Sequence, residues 1–177
     1  MKKYLTFFIF IALFLKAFTQ SSINDSLLIK NNFFHNQQTS LALLSGWSVA
    51  NLSLTPIATE NLFTPQTKND YFHQMNFFFN VINGAIAGYA HYEVNRRSKL
   101  SWKLSEIEEQ RKKALKSIKF NMGLDISYVL GGIILNSLVK YGDDRYPQYR
   151  GYGNSMIVQG AYLFLYDAIF LKKILKK

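Results

Sequence analysis

The sequence predicts an all-α fold: a membrane-embedded four-helix bundle with a charged interfacial helix between the second and third spans. Three observations predict it. Residues 40–58 and 74–92 carry no Asp, Glu, Lys or Arg, while 120–139 and 151–171 carry one acid each besides their apolar residues, Asp125 and Asp167. A spanning helix needs about 20 such positions. The polar residues inside these runs are mainly Ser, Asn, Gly and Tyr, not the Lys and Glu that line the wet face of a soluble amphipathic helix. Finally, residues 95–119 concentrate charge at helical spacing, as an interfacial helix would.

Composition narrows the function before any motif does. Of 177 residues, 49% are hydrophobic and 16% aromatic, too apolar for a disordered chain. Cysteine is absent, which excludes disulfides, thiolate metal sites and a cysteine nucleophile. A net charge of +10 is compatible with nucleic-acid binding, but the basic residues cluster beside apolar runs. That placement favours anionic lipid headgroups over nucleic acid. The mean hydropathy of −0.03 is low for a membrane protein because the connections are so charged.

Taken in order, residues 1–19 have the grammar of a secretory signal. Lys2 and Lys3 precede an apolar run over 4–15, and Ala17 and Thr19 supply small residues for cleavage before Gln20. Residues 20–39 form an extramembrane lead-in. The first span, 40–58, is the least convincing of the four, since it holds Ser45, Ser48, Asn51, Thr55 and Pro56. The second covers about 71–92, the third 120–139 and the fourth 153–171, followed by a basic tail at 172–177. Gly84 and Gly88 make a GxxxG pair in the second span, and Gly123, Ser127 and Gly131 a small-residue stripe in the third, the pattern that lets helices approach in lipid. In the charged connection, Ser105 and Glu108 form an expected capping box, and Glu108/Lys112 and Glu109/Lys113 expected ion pairs. Leu104, Ile107, Leu115 and Ile118 give that helix an apolar side, suited to lying on a bilayer or continuing into the third span.

Two topology rules then disagree. The long connection holds nine basic residues (Arg96, Arg97, Lys99, Lys103, Arg111, Lys112, Lys113, Lys116 and Lys119) and the tail holds Lys172, Lys173, Lys176 and Lys177. The other side holds only Lys68, Lys140, Arg145 and Arg150. The bias of basic residues toward the cytoplasm places the connection and tail inside. A cleaved signal places residue 22 outside, and two spans later the connection outside as well. Both orientations stay open at this level.

The candidate site is an intramembrane polar cluster: His73, Asn76, Asn80, Asn83, Asp125, Gln159 and Asp167. The first four recur at steps of three, four and three, and so share one face of the second helix. Antiparallel packing places Asp125 and Asp167 in the leaflet beside the basic connection, with no Lys or Arg in any span to pair with them. Such carboxylates serve either as polar glue, bonded to Tyr128, Tyr166 or Ser45, or as a proton or cation site. His73 and His91 stand about 27 Å apart on one helix and cannot ligate one iron. Residues 141–147 lack calcium-loop spacing and suit a hydrated turn. No nucleophile elbow, phosphate loop or zinc helix occurs, so the expectation is a non-enzymatic protein with no cofactor and no metal.

Several of these residues together carry a resemblance: Tyr71-Phe72-His73-Gln74-Met75-Asn76, Asn80, Asn83 and Gly88, then Leu124-Asp125, Tyr128 and Gly131, then Gly151-Tyr152-Gly153, Gln159-Gly160 and Asp167, with Trp47 and Asn51 in the first span. The pattern, over 41–171, resembles an uncharacterised family of small bacterial membrane proteins with a domain of unknown function. The resemblance implies a four-helix integral membrane domain, here with a longer and more charged connection, and no activity. The resulting expectation is a multi-pass protein of the bacterial inner membrane. It would be a structural, lipid-binding or partner-binding bundle, with anionic headgroups at 95–119 and a protein partner or second copy as possible company. The alternative is a proton- or ion-handling component using Asp125 and Asp167.

Overall fold

A computed structural model shows four helices: α1 (Lys2–Ala58), α2 (Lys68–Ser98), α3 (Leu104–Ser137) and α4 (Tyr146–Leu175). It describes residues 2–176, with side chains over 26–176, and there is no strand among them. The signal expected over 1–19, and the start of the lead-in up to residue 25, lie outside the residues whose side chains are described.

Successive helices run in opposite directions, which contacts at both ends fix. At one end, here the base, the Lys30 ammonium bonds Leu100 O at 2.8 Å and the Asn36 amide bonds Lys173 O at 3.3 Å. At the other, the crown, Asn69 bonds Ala58 O at 3.0 Å across the connection from α1 to α2. Helix α4 is the hub and packs on the other three, whereas no Cα of α2 lies within 8 Å of one in α3. The two helices joined by the charged connection are therefore held apart.

The base has an ordinary apolar core. Phe33, Phe34, Leu41, Val94, Ile107, Ile118 and Ile174 are buried together, and Trp102 in the α2–α3 connection covers them with its ring 5.8 Å from that of Phe34. Lysines and glutamates surround this core, including a Glu109–Lys113 pair at 2.7 Å. Arg111 bonds Ile174 O and Leu175 O, each at 2.8 Å, satisfying carbonyls that the end of α4 leaves open.

Toward the crown the polarity reverses. Asn76, Asn80, Asn83, Ser48, Ser155 and Gln159 are buried, Asn80 and Gln159 completely, while Val49 and Ile82 are 62% and 60% exposed. Exposed Leu54, Ile86, Leu130, Ile133 and Leu165 continue that apolar exterior. By length and composition, two described helices, Ser26–Ala58 and Leu104–Ser137, are able to cross a membrane. In α2 and α4 the inward-facing Asn, Gln, Ser and Gly residues lower the mean apolarity, although their outer faces are apolar.

Several local expectations need correction. Of the two readings of the charged connection, the structure has the continuous one: residues 104–119 are the first half of α3, which runs without a break into residues 120–137. Its N-cap is Lys103, whose N–H donates to the Glu106 carboxylate at 2.8 Å, two residues earlier than the Ser105/Glu108 box. Glu108 and Lys112 form no ion pair among the described residues. Residues 20–39, the expected lead-in, lie within α1, which runs unbroken through them and supplies Phe33 and Phe34 to the core. Residues 172–175 of the tail belong to α4.

The glycines that matter also differ from those expected. A Cβ on Gly88 or Gly123 would meet nothing within 4 Å, one on Gly84 only Ser48 at an ordinary 3.6 Å, and one on Gly131 only the flexible end of Met156. By contrast, a Cβ on Gly132 would stand 2.5 Å from Gly153 O, and one on Gly160 2.7 Å from Asp125 O. Gly151 faces α2 in the same way, 2.6 Å from Lys68 O. All of these close approaches involve α4, which meets α3 at Gly132 and Gly160 and α2 at Gly151.

Candidate functional site

The buried polar residues fall into three groups. The first is a seam joining α1, α2 and α4. The Trp47 indole N–H donates to Gln159 Oε1 at 2.9 Å, and the Gln159 amide donates to Asn76 Oδ1 at 2.9 Å. Ser155 Oγ donates to the same Asn76 oxygen at 2.6 Å, and Asn80 donates to Asn76 O at 2.8 Å. The Trp47 ring stacks on Tyr162 at 3.8 Å, and the Tyr162 hydroxyl donates to Leu43 O. Nearer the crown, Tyr152 donates to Gln74, and Asn136 to Asn154. These bonds serve the polar-glue role: away from water, a paired amide is worth keeping and an unpaired one is costly.

The second group closes the crown. The buried Asp70 carboxylate accepts from Thr59 Oγ1 at 2.5 Å, Thr67 Oγ1 at 2.8 Å, Thr67 N at 2.9 Å and Gln66 N at 3.2 Å. These donors, Thr59 foremost, hold the carboxyl well below the usual carboxylate range. Asp70 was not among the expected site residues, although the Thr67/Asp70 spacing is itself a capping signature.

The third is a lateral cleft of about 310 Å³ between α2 and α3. Asp125 and Asp167 line it with Asn83, Asn121, Tyr128 and Tyr166, among Leu44, Phe79, Ile82, Ile86, Leu124 and Leu163. The Phe79 ring meets Tyr128 edge-on at 5.2 Å between centroids and closes its crown end. Toward the base it continues into a second hollow of about 290 Å³, sharing Leu44, Ile86, Asn121, Tyr166 and Asp167. Neither the Asp125 nor the Asp167 carboxylate has a hydrogen bond or ion pair from a described residue, so the expected bonds to Tyr128, Tyr166 and Ser45 do not form. Asp125 Oδ2 and Asn83 Nδ2 are buried without partners.

The expected cluster is thus divided. Asn76, Asn80 and Gln159 belong to the seam, Asn83, Asp125 and Asp167 to the cleft, and half-buried His73 to neither. Trp47 and Ser155 are seam members that the sequence-based cluster omitted. Among the described residues no three His, Asp or Glu side chains gather as a metal site would require.

The family of unknown function DUF6992 matches residues 43–168. The chain belongs to this family. No curated protein and no solved structure matches it. The DUF6992 match takes in the seam, Asp70 and both cleft aspartates, and ends one residue beyond Asp167. It leaves out Phe33, Phe34, Leu41 and Ile174 of the base core but includes Val94, Ile107 and Ile118, so it takes in the whole polar interior and part of the base.

Proposed function

We propose that the DUF6992 region is a multi-pass integral membrane bundle that binds rather than catalyses. The bilayer surrounds the reversed-polarity part, at about 40–58, 71–92, 120–139 and 153–171, and the base lies at the headgroups. The observation that supports this is the change of interior along the same four helices, from apolar at the base to polar above it. Water selects an apolar interior; hydrocarbon gives apolar residues no reason to turn inward and penalises polar ones that turn outward. Basic residues over 95–119 then meet anionic headgroups, and the apolar exterior meets acyl chains or another membrane chain, such as a second copy.

A bacterial inner membrane accommodates such a helical bundle, with the base cytoplasmic by the distribution of basic residues. That orientation requires that the leader does not act as a cleaved export signal. The test is an alkaline carbonate wash of membranes, from which the chain should pellet; release into the supernatant sinks the reading. A Ser117→Cys chain treated with a membrane-impermeant maleimide should label only after lysis. Labelling of intact spheroplasts would reverse the orientation.

A second reading, proton or ion handling, is favoured by the two unbonded carboxylates in one cleft. Asp125→Asn and Asp167→Asn would then abolish a pH-dependent flux in vesicles, and retained flux would exclude it.

A further inference from the structure

We infer that the cleft between α2 and α3 is a binding site for a long-chain amino alcohol that enters sideways from the bilayer. The inference rests on the membrane reading above and names the ligand of that bundle. Its ammonium group would lie between Asp125 and Asp167, its hydroxyl oxygen would accept from Asn83, and its chain would follow the apolar walls.

Three features select this chemistry. First, the cleft presents a free acceptor, Asp125 Oδ2, and a free donor, Asn83 Nδ2, on residues at least nine-tenths buried. A ligand carrying both a cationic donor and a neighbouring acceptor satisfies both, and leaving them unmet is costly in a site so enclosed. Second, two carboxylates with no cation of their own supply the counter-charge that a buried ammonium requires, and Phe79, Tyr128 and Tyr166 add aromatic surface beside it. Third, a hollow of 310 Å³ has room for roughly ten waters, far more than a bare ion occupies. A hard metal ion calls for about six oxygen ligands. Half of the lining here is instead Leu, Ile and Phe.

The position of the cleft explains how such a ligand arrives. The backbones of α2 and α3 stay apart, so the opening faces the exterior formed by Ile82, Ile86 and Leu124. The trough continues toward the base along Ala90, Val94, Ala114 and Phe170, which gives an extended chain somewhere to lie.

The test uses the full chain in phosphatidylcholine nanodiscs, with empty discs as background, and 2-amino-1-dodecanol as the probe. Saturable binding at one probe per chain is expected, weakened about tenfold or more by Asp125→Asn. Ile86→Trp should abolish it by filling the cleft from its exposed rim while both carboxylates remain, which keeps the test decisive if the Asp125 variant does not fold. Equal competition by dodecanol would reduce the cleft to an apolar crevice and overturn the inference. So would equal competition by ethanolamine or sodium chloride, which would make it a simple cation site. A chain that pellets in carbonate yet binds no probe above background loses this inference alone; one released by carbonate loses the membrane reading too.

Discussion

The base and the upper part of this molecule are built from the same four helices on opposite rules. At the base, Phe33, Phe34, Ile107 and Ile174 are buried and lysines face outward. Further along α1 and α4, Ser48, Ser155 and Gln159 are buried while Val49, Leu54 and Leu165 face outward. Helix formation is indifferent to the change, since every backbone bond is internal to its own helix in either solvent. What changes is the force between helices: burial of apolar area at the base, and above it close backbone approach at Gly132, Gly151 and Gly160 together with the Trp47–Gln159–Asn76 bonds.

The largest expected effect compares one residue type in both regions. Phe34→Ala should destabilise the fold by about 3–5 kcal/mol, because it opens a cavity in a packed apolar core. Phe78→Ala, on the exposed face of α2, should cost under about 0.5 kcal/mol, since it leaves no enclosed cavity. Reversible unfolding in mixed micelles measures both, and equal costs would break the comparison. Next comes Gly160→Leu, which has to push α4 off the Asp125 carbonyl; a loss of about 1–3 kcal/mol is expected, against near neutrality for Gly88→Leu, which faces open space. Reversed ranks would show that the GxxxG pair of α2, and not α4, carries the contact.

Much of this was legible in the sequence, for reasons the two solvents explain. Four runs almost without charge each map onto one of the four helices. The face shared by Asn76, Asn80 and Asn83 followed from helical spacing, and the common depth of Asp125 and Asp167 from antiparallel arithmetic. The sequence left open whether the charged segment lies by itself or continues into the next helix, because its composition changes at residue 119 while the helix does not break there. The Lys103 cap was hidden by a second pair with the same spacing two residues on, Ser105 and Glu108. Trp47 and Gln159 are 112 residues apart, and no local pattern announces such a partner. Nor does any pattern show that α2 and α3, neighbours in the chain, stand apart with α4 packed against both.

A smaller effect tests whether the seam works as lipid-side glue. Gln159→Leu removes the link between Trp47 and Asn76 and leaves their indole N–H and amide oxygen with fewer partners. A loss of about 1–3 kcal/mol is expected, and no loss would mean that helix packing alone holds the spans.

The smallest effect lies at the crown and is read through pH. Asp70 titrates lower when folded than when unfolded because Thr59, Thr67 and Gln66 all donate to its ionised form. The unfolded chain therefore takes up this proton first as pH falls. Its stabilising contribution is complete above the unfolded value of about 4 and declines below it, toward the lower folded value. Asp70→Asn keeps the size of the side chain but cannot be charged. The melting midpoint of the variant should fall below that of the parent chain by a gap that is constant at neutral pH and narrows below about pH 4. A gap that stayed constant into strong acid would mean that the crown is held by the packing of the Thr59 and Thr67 side chains and not by the charge between them.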